Sequence, residues 1–185
     1  VTNAKMNWIK KHLASVKFDE IHIVKYGTYK ETFAKTNDDI LFDDTLCEQG
    51  RNFCNKIWNA FRLIKSWNVD TTIELPQTSH EANLWFAARL RQSAAEISDL
   101  FKKYRLSEAL HEMYSLFWDD FSASYLEMIK PAYQAPIDAT TYNDTLNIFD
   151  QLLHIIHPFM PFITEELWQH IAERQDGESL MVSEF

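Results

Sequence analysis

Residues Thr45–Trp67 read TLCEQGRNFCNKIWNAFRLIKSW, and the spacing of apolar residues in this stretch decides the fold class. On a helix that advances about 100° per residue, Leu46, Phe53, Ile57, Ala60, Phe61 and Ile64 gather on one arc. On the same wheel Arg62 falls within about 20° of Arg51 and Lys65 within about 40°, with Asn55 and Trp58 between or beside them. One side is therefore a core stripe and the other a row of Arg, Asn, Trp, Arg and Lys. Thr45 and Glu48 stand at capping-box spacing, which predicts a helix start at Thr45 and a run to about Trp67.

The same period continues along the chain. Thr78 and Glu81 repeat the capping-box spacing, so a second helix is expected from near Thr78 to about Lys103. A third is expected after Ser107 and must stop at Lys130, because Pro131 has no N–H and restricts the residue before it. A fourth should run from about Thr141 to His157, ended by Pro158 and Pro161. A shorter fifth should start with Thr164 as its cap, with Glu165 and Glu166 at the positive helix end, and finish before Gly177. The expected fold is all-α: a bundle of four long helices and a shorter fifth over residues 38–185. Residues 1–37 differ. Met6–Val16 and Thr28–Lys35 suit short helices and Glu20–Tyr26 a strand, so a small mixed appendage is expected there.

Composition agrees. Three glycines and five prolines in 185 residues are few for a sheet-rich fold, and 46% hydrophobic residues suffice for a packed core. No apolar run approaches the roughly 20 residues that span a bilayer, and the polar, basic start is not a secretory signal, so a cytoplasmic protein with no membrane partner is expected. Cys47 and Cys54 lie about 10.5 Å apart along a helix axis, too far for a disulfide, and are expected to be two buried thiols on one helix face. The net charge of −9 argues against indiscriminate nucleic-acid binding. Its distribution says more. Residues 1–37 carry seven lysines against three acids, a balance of +4, and the remainder carries −13. Within that acidic remainder, Leu46–Trp67 holds Arg51, Lys56, Arg62 and Lys65 against Glu48 alone.

Cations around an exposed aromatic suit single-stranded RNA loops: the charges hold phosphates, and the ring stacks an unstacked base. A solvated face with Trp58 tucked against a neighbour is the plainer alternative. Little else in the chain carries chemistry. His154 and His157 have a chelating i, i+3 spacing but no matching Glu/His set on another helix. The pairs Asp43/Asp44, Asp119/Asp120 and Glu165/Glu166 point about 100° apart on a helix and suit capping and solvation. No phosphate loop, G-x-S-x-G or H-E-x-x-H motif is present. No catalytic residue, metal ligand or cofactor-binding residue is therefore expected, and Trp and Phe residues of Leu84–Phe86, Leu116–Phe121 and Phe159–Phe162 are read as core.

Five strings carry a resemblance. GRNFCNKIWNA (Gly50–Ala60) closely resembles the first anticodon-domain helix of valyl-tRNA synthetases, and Asp39–Asp43 (DILFD) the segment leading into it. WFAARL (Trp85–Leu90) resembles the start of the family's second helix. FWDDF (Phe117–Phe121), with Tyr125, Leu126, Glu127 and Lys130, resembles the third. HPFMPFITEELW (His157–Trp168) is shared, with variations, by several class I synthetases for aliphatic amino acids. The resemblance covers about Asp38 to Val182 and leaves Val1–Asn37 unmatched. The HIGH and KMSKS motifs are absent.

The resemblance implies a non-catalytic domain that grips the anticodon stem-loop of valine tRNA and works with the catalytic domain of the same synthetase. ATP and magnesium would belong to that parent enzyme, and none is expected in this fragment. It implies Arg51, Asn55, Trp58 and Arg62 as RNA contacts. Lys65 joins them by its place on the face, and Arg89 by its place in the second-helix string. Phe53, Ile57, Trp118, Phe162 and Trp168 are expected in the core. Two alternatives stand beside this reading: a structural or interaction domain with the same bundle but no RNA role, and the equivalent domain of an isoleucyl or leucyl enzyme. Pairing of Arg51, Arg62 and Lys65 with bundle carboxylates would favour the interaction domain.

Overall fold

A computed structural model describes residues 44–183, apart from the side chain of Leu46. The expected appendage and the boundary at residue 37 lie outside the described residues. The described chain is helical almost throughout. α1 (Asp44–Lys65) leads through a two-residue strand β1 (Val69–Asp70) to α2 (Gln77–Lys102). α3 (Leu106–Ser115) continues without a break into a π-helical segment (Leu116–Tyr125) and then α4 (Leu126–Ile129). After β2 (Ile137–Asp138) come α5 (Ala139–Ile156), α6 (Pro161–Ile171) and a 3₁₀ turn (Leu180–Val182). β1 and β2 pair in parallel, Val69 with Ile137 and Asp70 with Asp138, tying the loop after α1 to the loop before α5. Among the described residues no helix is long and apolar enough to cross a membrane.

The core is aromatic. Phe86, Phe117, Phe121, Tyr125 and Phe149 are fully buried, and their rings lie 5.0–6.4 Å apart, the range in which aromatic pairs attract. α1 docks against this cluster. Its Phe53 ring is 4.8 Å from Tyr114 and 5.6 Å from Phe117, edge to face, and its Phe61 ring stacks on Phe149 at 6.1 Å.

The expected helices form, but several local expectations are corrected. Thr45 lies inside α1 rather than capping it. α2 is preceded by Pro76 with no side-chain cap, so Thr78 and Glu81 make no capping box, and Glu81 instead accepts from Gln77. The helix expected to start at Thr164 begins at Pro161, three residues earlier, because proline lacks the N–H that a first helical turn leaves unused. Thr164 is consequently buried, and its hydroxyl donates back to the Met160 carbonyl at 2.9 Å. The buried side of α6 is Thr164, Leu167 and Trp168. Phe162 points about 200° from Thr164, away from the core, and is 91% exposed. α6 ends at Ile171, before Gly177 as expected. Leu84 and Trp85 are exposed beside a fully buried Phe86, Cys47 is exposed, and Cys54 is half-buried.

Candidate nucleic-acid interface

The inner face of α1 settles what its outer face presents. Phe53, Ile57, Ala60 and Ile64 are buried, and burying them turns Arg51, Asn55, Trp58, Arg62 and Lys65 to solvent. The helix spaces these five along one side over about four turns. Among the described residues, Arg51, Arg62 and Lys65 have no ion-pair partner, although the domain carries a surplus of carboxylates. Most lysines and arginines elsewhere are paired: Lys103 with Asp99, Arg105 with Glu108, Lys130 with Glu127 and Arg174 with Asp150. Among the described residues the unpaired cations therefore concentrate on α1, with Arg91 and Lys102 of α2 the others.

Trp58 is 39% exposed, with its ring tilted 52° against Phe61 at 6.3 Å. Phe61 supports one side of the indole, and part of the residue is open to solvent. Lys56, beside the core stripe of α1, sits 4.9 Å from the centre of the Trp118 ring in a cation–π contact. At the other end, Lys65 lines an open cleft of about 430 Å³ with Gln169, His170, Ala172 and Arg174 from the end of α6 and the segment after it. Neither neighbour was expected from the sequence, since each lies on a helix distant in the chain.

Arg89 does not join the row. Its Nε donates to Asp120 at 2.7 Å and its Nη2 reaches Glu112 at 3.0 Å, with about a quarter of the side chain exposed. Burial works against its charge, but the two carboxylates prevail and raise its pKa above the ordinary arginine value. The structure thus places Arg89 between helices, bridging α2 to α3 and the π segment.

The histidines do not converge. His154 Nδ1 is 2.9 Å from the Asp150 carbonyl and its Nε2 is 3.0 Å from Ser183 Oγ. His157 Nδ1 is 2.7 Å from Thr164 Oγ1. Among the described residues no group of three or more His, Cys, Asp or Glu is placed to hold a metal ion. Glu165 is engaged in structure: burial would raise its pKa, but hydrogen bonds from Gln169, Ser179 and the Leu180 N–H lower it. What the described surface offers is a cationic row around a supported, half-open indole, which can hold phosphates and stack a base.

A family profile described as the anticodon-binding domain of tRNA ligase matches residues 83–185. The chain is 64% identical over 151 residues to a valine--tRNA ligase of Phocaeicola vulgatus, covering 82% of this chain and 17% of that protein. It is 63% identical over 152 residues to one of Bacteroides thetaiotaomicron, covering 81% of this chain and 17% of that protein. A more distant valine--tRNA ligase, from Pseudothermotoga lettingae, is 34% identical over 169 residues and is covered to 19%. The chain thus spans less than a fifth of the length of these curated relatives.

Proposed function

The chain belongs to the anticodon-binding domains of tRNA ligases, and from that premise we propose that it grips the anticodon stem-loop of valine tRNA through the outer face of α1. In this reading it is the non-catalytic, RNA-reading part of a cytoplasmic valine--tRNA ligase. ATP, magnesium and aminoacyl transfer belong to a catalytic domain of the same enzyme, with which this domain works. One observation carries the assignment of the face: Arg51, Arg62 and Lys65 remain unpaired among the described residues of an acidic domain, around the half-open ring of Trp58. An interaction domain without an RNA role would be expected to spend those cations on its own carboxylates.

The chemistry divides among the residues. Arg51, Arg62 and Lys65 hold phosphates, and removing any one of these charges should flatten the salt dependence by about 0.7 in log K per log salt for a single-stranded segment. Trp58 stacks one base, a contribution of about 1–3 kcal/mol. Asn55, on the same face, offers an amide donor and acceptor to a base edge. Valine specificity rests on the identity of the curated relatives.

The test is fluorescence titration of the 185-residue chain with anticodon stem-loops of valine and isoleucine tRNAs at two salt concentrations. The valine loop should bind more tightly, in the micromolar range or weaker, with affinity falling as salt rises. The R51A/R62A double variant should bind more weakly and with a shallower salt slope, and W58A should bind more weakly at an unchanged slope. Equal or absent binding of the two loops overturns the assignment of specificity to this domain. Unchanged binding by the double variant overturns the assignment of the face.

A further inference from the structure

We propose that Arg89 is a positioning residue for the α1 face: it clamps the α-to-π junction that carries the aromatic seat against which α1 docks. This rests on the reading of that face as the RNA site. It replaces the expectation that Arg89 itself touches RNA.

The first observation is the π segment. It runs ten residues, Leu116–Tyr125, whereas π geometry elsewhere is mostly confined to single-turn bulges. A run of that length must be held by side chains. Ser124 supports it locally by donating to the Asp119 carbonyl at 2.8 Å, and Ser115 by donating to the Asp119 carboxylate at 3.0 Å. Arg89 supports it from outside. Its partners stand on either side of Leu116, where the α-helix gives way: Glu112 on α3 and Asp120 in the π segment.

The geometry of that pair depends on the π winding. Residues eight apart on an α-helix lie about 80° apart around the axis and about 12 Å along it. An i→i+5 ladder turns less per residue than an α-helix, so the π residues before Asp120 wind it back toward the side of Glu112. One planar guanidinium then reaches both carboxylates, at 3.0 and 2.7 Å. Ser93, one turn further along α2, donates to the same Glu112 oxygen at 2.7 Å and doubles the attachment. A lysine at position 89 would be a single point charge without the fork.

The second observation connects this clamp to α1. Tyr114 on α3 and Trp118 in the π segment straddle the same junction, and their rings stack at 5.4 Å and 11°. Phe53 of α1 lies against both, 4.8 Å from Tyr114 and 6.3 Å from Trp118, while Lys56 of α1 covers the Trp118 ring. Phe53 is flanked along the helix by Arg51 and Asn55. The direction in which those two point is therefore set by how Phe53 seats against the stacked Tyr114 and Trp118 rings, and that seat exists only while the junction keeps its register.

The test uses the 185-residue chain with R89M, R89K, W118L and the R89M/W118L double variant. Two readouts are followed: affinity and salt slope for the valine stem-loop, and the indole N–H resonance of Trp118, assigned by its loss in W118F. R89M should weaken binding roughly three- to thirtyfold. It should shift the Trp118 resonance and leave the salt slope unchanged. The double variant should bind about as weakly as the weaker single variant, because both changes break one path. Should R89M fail to fold, R89K keeps the charge beside one carboxylate, and the same weakening and shift are expected of it. An unmoved Trp118 resonance, or fully additive losses with a shallower slope in R89M, overturns the proposal and makes Arg89 a bystander or a direct phosphate contact. Wild-type chain that ignores the stem-loop sinks the RNA reading and the positioning role with it, while a shifted resonance would still identify the clamp as structural.

Discussion

The Tyr125 hydroxyl donates to Oδ1 of Asn83 across 2.8 Å, joining the π segment to α2 inside the core. Asn83 in turn donates through Nδ2 to the Asp144 carboxylate at 2.8 Å, so α2, the π segment and α5 meet at one polar point among aromatic rings. Tyr125→Phe keeps the ring and leaves the Asn83 carbonyl without its donor. A buried group stranded in this way costs about 1–3 kcal/mol. Chemical denaturation should show a lower midpoint at unchanged slope, and a midpoint equal to wild type would mean that water replaces the lost donor.

The same tyrosine makes stability sensitive to alkali. Burial, the largest influence, together with the nearby Asp144 charge, pushes its pKa up to about 12, although its contact with Thr145 works the other way. A phenol in the unfolded chain ionises near 10. Between about pH 10 and 12 the unfolded state sheds a proton that the folded state keeps, so stability falls as pH rises through that window and is fully present below it. The loss amounts to roughly 2–3 kcal/mol by pH 12. In the Y125F variant this component should vanish, which denaturation at pH 9, 10.5 and 12 would reveal as a flatter profile than that of wild type.

The turn after α2 holds a tyrosine where the backbone calls for glycine. Tyr104 has φ of 58°, with its N–H on the Phe101 carbonyl and the following Arg105 N–H on the Leu100 carbonyl, at 3.0 and 2.9 Å. Those two bonds are the Schellman pattern that ends a helix. The side chain is 89% exposed and packs little. Tyr104→Gly should therefore raise stability by about 0.5–1 kcal/mol, the relief of left-handed strain less the extra freedom of glycine in the unfolded chain. Thermal unfolding decides it, and a lowered midpoint would mean that the Tyr104 ring contributes packing.

Phe162 and Trp168 share a helix and have opposite fates. Trp168 is 4% exposed with the Arg174 guanidinium 3.6 Å above its ring, whereas Phe162 stands in solvent. Trp168→Ala should cost about 3–5 kcal/mol and Phe162→Ala no more than about 0.5 kcal/mol. Equal losses in the two variants would return Phe162 to the core.

The amphipathic stripe of Thr45–Trp67 is legible from spacing alone, because burying Phe53, Ile57, Ala60 and Ile64 leaves only one orientation for Arg51, Asn55, Trp58, Arg62 and Lys65. Helix ends are less legible. Thr78 and Thr164 carry capping residue types, yet the prolines at 76 and 161 move each start upstream, which places Phe162 inside α6 on its solvent side. Arg89 escapes a sequence reading for a different reason. Its string fixes its place on α2, but its partners are set by a helix that local spacing would wind as α throughout.

From the sequence by itself come the class of fold, the helices to within a few residues and the basic side of α1, because helical period and charge are local properties. Tertiary structure alone decided that Arg51, Arg62 and Lys65 stay unpaired among the described residues, that Arg89 is spent on Glu112 and Asp120, and that ten residues wind as a π-helix. Each of these depends on which side chains distant segments bring within a few ångströms, and pairing across helices leaves no periodic trace in the chain.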